Sequence, residues 1–302
     1  MEFRGKYKRP SSILVWLLHR FSRYVVSDKL YLRIYYRLFM KERLDLKNPR
    51  TFNQKIQVLK LLNKVPKFTL MADKYEARDI VRHEIGDDYL IPLLGVWDKF
   101  DDIDFNHLPQ QFVLKPTNNS GTIIICKDKS TLDIKAARMK INKALKRNYF
   151  YGGREYPYKN IKPRIICEKY MVDESGVELK DYKFLCFNGE PKVLFVASNR
   201  YIDVRFDFYD MELNRLPFTT GDHSFSEESI TKIESFGEMK ELARKLSKGL
   251  IHIRIDLYNI SGKVYFGEFT FHHNGGIVPF HPIEWDKKLG DLIKLPNEKV
   301  HS

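Results

Sequence analysis

The sequence is poor in cysteine, with three in 302 residues, at Cys126, Cys167 and Cys186. Each lies in an apolar, strand-like run, and no metal-ligand spacing connects them. A disulfide framework and a cysteine-built zinc site are therefore excluded, and buried free thiols in a reducing cytoplasm are expected. Long apolar runs are also missing, since nothing approaches the ~18 consecutive apolar residues of a membrane span. The most apolar early stretch, Ile13 to Leu18, is too short and has no small-residue cleavage site after it, so no cleaved signal peptide is expected. Internal repeats and low-complexity segments are absent, which argues against solenoid and disordered architectures. What is present is 43 % hydrophobic and 14 % aromatic residues, enough for one large globular domain or two to three small ones.

Acidic residues are scarce at the N-terminus. Residues 1–50 hold 13 Lys and Arg against 4 Asp and Glu, a net of +9 out of the chain's +13. The basicity thus belongs to an arm and not to the whole chain, and it points to an anionic partner: a membrane surface, an acidic glycan or nucleic acid. No nucleic-acid motif follows the arm, so no nucleic-acid partner is expected.

Apolar residues recur at helical spacing over 11–26 and again over 28–43, where Ser27 is placed to cap. Asn48-Pro49 breaks the chain, and Thr51 with Gln54 forms a capping box for a helix carrying Phe52, Ile56 and Leu59. A further helix over about 69–85 ends at Gly86. From Tyr89 the character changes to strand-like runs at 89–97, 112–116, 122–126, 164–171, 181–188, 191–198, 251–258 and 263–271. Helices intervene near 133–147 and 237–249, and turn sequences at Asn188-Gly189 and Ser261-Gly262 join two pairs of strands into hairpins. Hairpins joined by helices predict an α+β protein with antiparallel sheets.

Three segments carry chemistry. In Gln111–Gly121 an apolar strand delivers Lys115 next to a polar loop containing Ser120 and Gly121. A lysine ending a buried strand either meets an anionic partner, such as phosphates covered by the loop, or snorkels to the surface at a hairpin. In Arg164–Met171 an apolar strand ends in Glu168-Lys169, either a passage between two lobes or a surface charge pair. The third is Ile253–Thr270, where Arg254, Asp256 and Glu268 lie on two strands joined by a short turn. Carboxylates meeting across a hairpin repel unless a cation or a shared proton lies between them, and oxygen-only ligation suits Mg²⁺. The alternative is a solvated hairpin with an Arg–Asp pair. Two weaker signals are His272-His273, expected to support the metal strand rather than bind metal, and the aromatic loop around Gly152-Gly153-Arg154, whose arginine is read as a carboxylate or glycan contact.

The order Lys115, Glu168-Lys169, Asp181-Tyr-Lys183, Arg254-x-Asp256, Glu268-x-Thr270 resembles the ATP-grasp superfamily, including D-alanine–D-alanine ligases. More closely, the chain is similar to the TupA-like ATP-grasp family, associated with teichuronopeptide and other cell-surface polysaccharide synthesis. That resemblance runs from about Asn48 to Leu295. It rests on Asn48-Pro-Arg-Thr-Phe-Asn-Gln-Lys, Ala72-Asp-Lys-Tyr, Tyr89-Leu-Ile-Pro-Leu-Leu-Gly-Val-Trp, Tyr151-Gly-Gly-Arg-Glu, Asp181-Tyr-Lys-Phe-Leu-Cys-Phe-Asn-Gly-Glu-Pro and Glu284-Trp-Asp-Lys-Lys-Leu-Gly. It implies an ATP-grasp fold in which two α+β lobes with antiparallel sheets hold ATP between them, behind a helical N-terminal region. The expected segments are a basic helical arm (1–47), a helical lead-in (48–108), a lid lobe (109–170) and a catalytic lobe with the metal site (171–302).

The resemblance also implies roles. Lys74 and Lys115 would contact ATP phosphates, joined by Lys183, with the 116–121 loop containing Ser120 and Gly121 as a lid. Glu168, Lys169 and Met171 would line the adenine site, and Asp181 would reach the ribose. Asp256 and Glu268 would hold Mg²⁺, and Arg254 would stabilise charge on the transferring phosphoryl group. Many ATP-grasp enzymes have Asn where this chain has Thr270, a weaker ligand. The expected activity is ATP-dependent carboxylate–amine ligation through an acyl phosphate, acting on an anionic glycan or lipid-linked saccharide. A sugar kinase and a capsule glycosyltransferase are the rival readings. The arm, with Trp16, Phe21, Tyr24, Tyr31 and Phe39 among its basic residues, either docks a cytoplasmic enzyme on the inner membrane face or packs onto the lobes.

Overall fold

A computed structural model describes residues 14–15, 18–19, 26–174, 176, 179–198 and 204–296. Most of the helix expected over 11–26 lies outside these residues; Leu14, Val15, Leu18 and His19 are helical. Helix α1 (Asp28–Met40) begins as the sequence predicts, with the Ser27 hydroxyl accepting from Leu30 N at 3.3 Å. Its Tyr31, Leu32, Tyr35 and Tyr36 are buried with Leu44, Leu46 and Val58, so α1 packs on the body of the protein. Helix α2 (Phe52–Leu62) is capped by Thr51, whose hydroxyl accepts from Gln54 N at 3.3 Å. The return bond of the box goes one residue further back, from Arg50 N to Gln54 Oε1 at 2.9 Å.

The single helix expected over 69–85 is two, α3 (Pro66–Ala72) and α4 (Ala77–Glu84). Asp73 causes the break: its carboxylate accepts the amides of Tyr75 at 2.8 Å and Glu76 at 3.4 Å, competing with helical hydrogen bonds. Lys74 sits on that break.

The first sheet has the antiparallel order β1-β4-β2-β3, formed by β1 (Leu93–Trp97), β2 (Phe112–Pro116), β3 (Ile124–Cys126) and β4 (Ile165–Lys169). Helix α5 (Ile134–Leu145), capped by Asp133, covers one face through Ala137 and Ile141 against Phe112, Leu114, Ile165 and Cys167. Strand β1 pairs with β4, so this lobe takes in residues ahead of 109. A short helix, α6 (Phe150–Gly153), lies between α5 and β4.

The second sheet has the antiparallel order β10-β9-β5-β6-β7, from β5 (Asp181–Phe187), β6 (Glu190–Ser198), β7 (Arg205–Tyr209), β9 (His252–Ile260) and β10 (Lys263–Thr270). A two-stranded ladder of β8 (Thr219–Thr220) with β11 (Phe280–His281) flanks it. Both hairpin turns form, with positive φ at Asn188, Gly189, Ser261 and Gly262, the backbone that two-residue turns between twisted strands require. Helix α7 (Phe236–Ser247) packs on one face with Phe184, Leu194, Ile255 and Leu257. On the other, α2 and α8 (Glu284–Leu292) pack on Leu185, Phe187, Phe195 and Phe208. All three cysteines are free and buried. Among the described residues no helix is long and apolar enough to cross a membrane.

Candidate nucleotide and metal site

Strand alternation decides which side chains reach the space between the lobes. On β2 and β4, Phe112, Leu114, Ile165 and Cys167 turn toward α5, which leaves Lys115 and Glu168 on the opposite face. Lys115 Nζ donates to Glu168 Oε2 at 2.7 Å. Arg78, on the first turn of α4, binds the other carboxylate oxygen at 3.1 Å and the Ile91 carbonyl at 2.8 Å. Arg78, Lys74 and Glu168 line one cleft with Met71, Ala72 and Glu268.

On the second sheet Ile253, Ile255 and Leu257 face α7, so Arg254 and Asp256 face the other way, with Lys183 opposite Asp256. Strict alternation would not bring Glu268 to this face. Counting from the turn, Phe266 pairs with Leu257, and an unbroken ladder would then pair Gly267 with Asp256. A bulge absorbs Gly267 and places Glu268 opposite Asp256 instead. Glycine suits the extra position, because a Cβ there would stand 3.0 Å from the Asp256 carbonyl oxygen.

Arg254 donates to Asp256 from Nε at 2.6 Å and from Nη2 at 2.8 Å, and Nη2 also reaches Glu268 at 3.0 Å. Lys183 bridges Asp181 at 2.8 Å and Asp256 at 2.6 Å. Burial alone would raise the Glu268 carboxyl, but Lys74, Arg254 and Lys183 outweigh it and hold it below the ordinary range. Burial likewise opposes the Lys115 ammonium, yet Glu168, Glu268 and Asp181 raise its pKa, coupling the two sheets across the cleft. Burial lowers Lys74, whose ammonium donates to the Asn119 carbonyl of the 116–121 loop.

Lys74, Arg78, Glu168 and Glu268 line this cleft, and ion pairs connect Lys115, Lys183, Arg254, Asp181 and Asp256 to them, five cations against four carboxylates. The surplus is positive, which suits a polyanion carrying its own metal.

The other expected residues are less engaged. Ser120 and Gly121 are exposed at the tip of the loop, Gly121 with φ +83°. Lys169 is exposed at the end of β4 and Met171 half-buried beyond it. Thr270 Oγ1 donates to Glu268 Oε1 at 3.3 Å, holding the glutamate rather than adding a charged ligand. His273 stands 3.3 Å from Arg254, and His272 is 3.2 Å from the buried Glu155, so both serve as supports, as expected. Arg154 corrects its expectation. It is 3 % exposed, its guanidinium stacked 4.3 Å over the Tyr31 ring and its Nε 3.2 Å from Asp28, so it anchors α1.

Two contributors were not assigned a role from the sequence. Arg78 had no motif around it. Arg164, just before β4, donates to Asp73 at 2.8 Å and Glu76 at 2.6 Å and so fixes the helix break that presents Lys74. Both act through contacts distant in sequence, which local patterns do not register.

No group of three or more His, Cys, Asp or Glu forms a metal cluster among the described residues. The donor set nonetheless fits Mg²⁺: Asp256 and Glu268 are direct cross-strand partners, all-oxygen, on the cleft face. One or two carboxylates are what Mg²⁺ takes when substrate phosphates and water complete its shell.

The family model for TupA-like ATP-grasp proteins matches residues 54–294. The chain belongs to the TupA-like ATP-grasp family. The two antiparallel sheets with flanking helices are the ATP-grasp fold of that family. Solved structures similar to this ATP-grasp chain include the D-alanine–D-alanine ligase of Bacillus anthracis, at 17 % identity over 78 % of this chain and 72 % of that one, TM-score 0.43. The same enzyme complexed with ATP matches at 16 % identity over 67 % of this chain and 54 % of that one, TM-score 0.38. An L-amino acid ligase from Bacillus licheniformis matches at 15 % identity, 83 % and 57 % coverage and TM-score 0.44. The chain spans about half the length of the ATP-bound ligase. A search of curated protein sequences found no match.

Proposed function

We propose that this protein is an ADP-forming carboxylate–amine ligase that builds an amide on a cell-surface polysaccharide or its precursor. The observation that carries the reading is a cleft lined by Lys74, Glu168 and Glu268, with Lys115 paired to Glu168 and Arg254 joining Glu268 to Asp256. In this reading ATP lies in that cleft. Lys74, Lys115 and Lys183 hold its phosphates, and the loop with Ser120 and Gly121 covers them. Glu168 accepts from the adenine amino group beside Lys169 and Met171, Arg78 keeps that carboxylate in place, and Asp181 reaches the ribose.

Asp256 and Glu268 would hold Mg²⁺, which would offset phosphate charge when bound. A carboxylate oxygen of the acceptor (a uronic acid or amino acid) attacks the γ-phosphorus, and the bond to the β-phosphate oxygen breaks to release ADP. Arg254 stabilises charge on the moving phosphoryl group. An amine then attacks the acyl phosphate carbon, expelling inorganic phosphate and losing a proton to give the amide. The residues act by positioning and electrostatics, and no side-chain nucleophile is needed. The acceptor is an anionic glycan or a lipid-linked saccharide, which places the enzyme in capsule or envelope synthesis on the cytoplasmic side of the membrane.

The test is product stoichiometry. With uronic-acid or amino-acid acceptors and an amine, ADP and free phosphate appear in equal amounts, and hydroxylamine traps a hydroxamate. ADP together with a stable phosphorylated glycan and no free phosphate overturns the ligase in favour of a kinase.

A further inference from the structure

Helix α1 has two faces of different character. Its inner face is locked to the protein: Tyr31, Leu32 and Tyr36 have no exposed surface, and the Tyr31 hydroxyl donates to the Gly152 carbonyl at 3.1 Å. Its outer face carries two stripes, each spaced one helical turn apart. Leu30 is 49 % and Ile34 38 % exposed, with the half-buried Leu38 continuing the row. Beside it run the exposed Arg33, Arg37 and Lys41. Lys41 Nζ is drawn back to the Leu38 carbonyl at 2.6 Å, while no carboxylate among the described residues pairs with Arg33 or Arg37. Arg43 and Lys47 extend the basic surface beyond the helix end, against Glu42 and Asp45.

Two large exposed apolar side chains in register with exposed guanidinium groups make a surface that a soluble polyanion satisfies only in part. It would neutralise the arginines and leave Leu30 and Ile34 in water. A lipid surface with anionic headgroups satisfies both stripes, taking the apolar row into the acyl boundary and the basic row at the headgroups.

We infer that the outer face of α1 is a docking surface for an anionic membrane, with Leu30 and Ile34 as the inserted residues and Arg33 and Arg37 as the headgroup contacts. Because the inner face is rigidly packed, docking fixes the orientation of the whole protein and not of a tethered arm. The inference stands apart from the ligase reading, since vesicle binding is measured without ATP or acceptor.

The experiment uses the full chain and phosphatidylcholine vesicles with and without phosphatidylglycerol, read by co-sedimentation. Wild type binds the anionic vesicles and is released as salt rises, because the headgroup attraction is screened. The double variant Arg33→Gln/Arg37→Gln weakens vesicle affinity on the order of thirtyfold, since each basic residue near an anionic surface adds to the attraction. Leu30→Gln/Ile34→Gln weakens it as well, and all four positions are solvent-facing, so both variants keep the wild-type melting temperature. Three results overturn the inference: equal binding to neutral and anionic vesicles, unchanged affinity in either double variant, or capture by a soluble acidic polysaccharide with no binding to anionic vesicles.

Discussion

Glu268 stands where Lys74, Arg254 and Lys183 all favour its ionised form against the cost of burial. Three cations around one carboxylate favour its charged form, the form that shares its oxygens with a metal. Glu268→Gln preserves shape and removes the charge. ATP-dependent turnover is expected to fall on the order of 10²-fold, as for loss of one preorganised charge contact, with the melting temperature nearly unchanged. Near-normal turnover in that variant would contradict the metal assignment. Thr270→Asn, at a position that now only donates to Glu268, is expected to be tolerated and to lower the Mg²⁺ concentration needed for half-maximal activity. Lys115, Asp256 and Glu268 were legible in the sequence because ionisable residues stand out in apolar strands. Arg78 and Arg164 were not, since their partners Glu168, Asp73 and Glu76 are assembled only by folding.

At the scale of elements, the β10 bulge decides whether the site exists. Gly267 is the extra residue that puts Glu268 on the face of Asp256, and a Cβ there would stand 3.0 Å from the Asp256 carbonyl oxygen and 3.2 Å from the Tyr258 ring. Gly267→Ala should cost about 1–3 kcal/mol by overpacking and re-aim Glu268. Activity should then fall much further than the melting temperature accounts for, which chemical denaturation and turnover measured side by side would check. Equal activity per folded molecule would refute the role given to the bulge. The strands of the hairpin were readable from their turn, but the bulge was not, because register depends on the partner strand. Likewise the caps at Ser27 and Thr51 were written locally, whereas Asp73 splits α3 from α4 by a side-chain bond that periodicity does not register. Strands β7, β8 and β11 and helix α8 had no reading, since such short or flanking pieces hold only through the sheet and helices around them.

For the molecule as a whole, helix α1 is part of the fold. Deleting residues 1–47 removes Tyr31, Leu32 and Tyr36, all fully buried, and uncovers Val58. At roughly 1.5–3 kcal/mol per buried side chain, that loss is comparable to the ~5–15 kcal/mol that holds a typical domain together. The truncated protein is expected to aggregate or to melt well below wild type in a thermal scan; an unchanged melting temperature would show α1 to be dispensable.

The central claim is that one cleft between the two sheets binds Mg-ATP. Isothermal titration of the purified protein with ATP, with and without Mg²⁺, tests it most directly. Binding should be tighter with Mg²⁺ and much weaker in Lys115→Ala, because the phosphates lose a buried cation held at the cleft. Failure of the wild type to bind ATP at millimolar concentration, or undiminished binding by Lys115→Ala, would contradict the account.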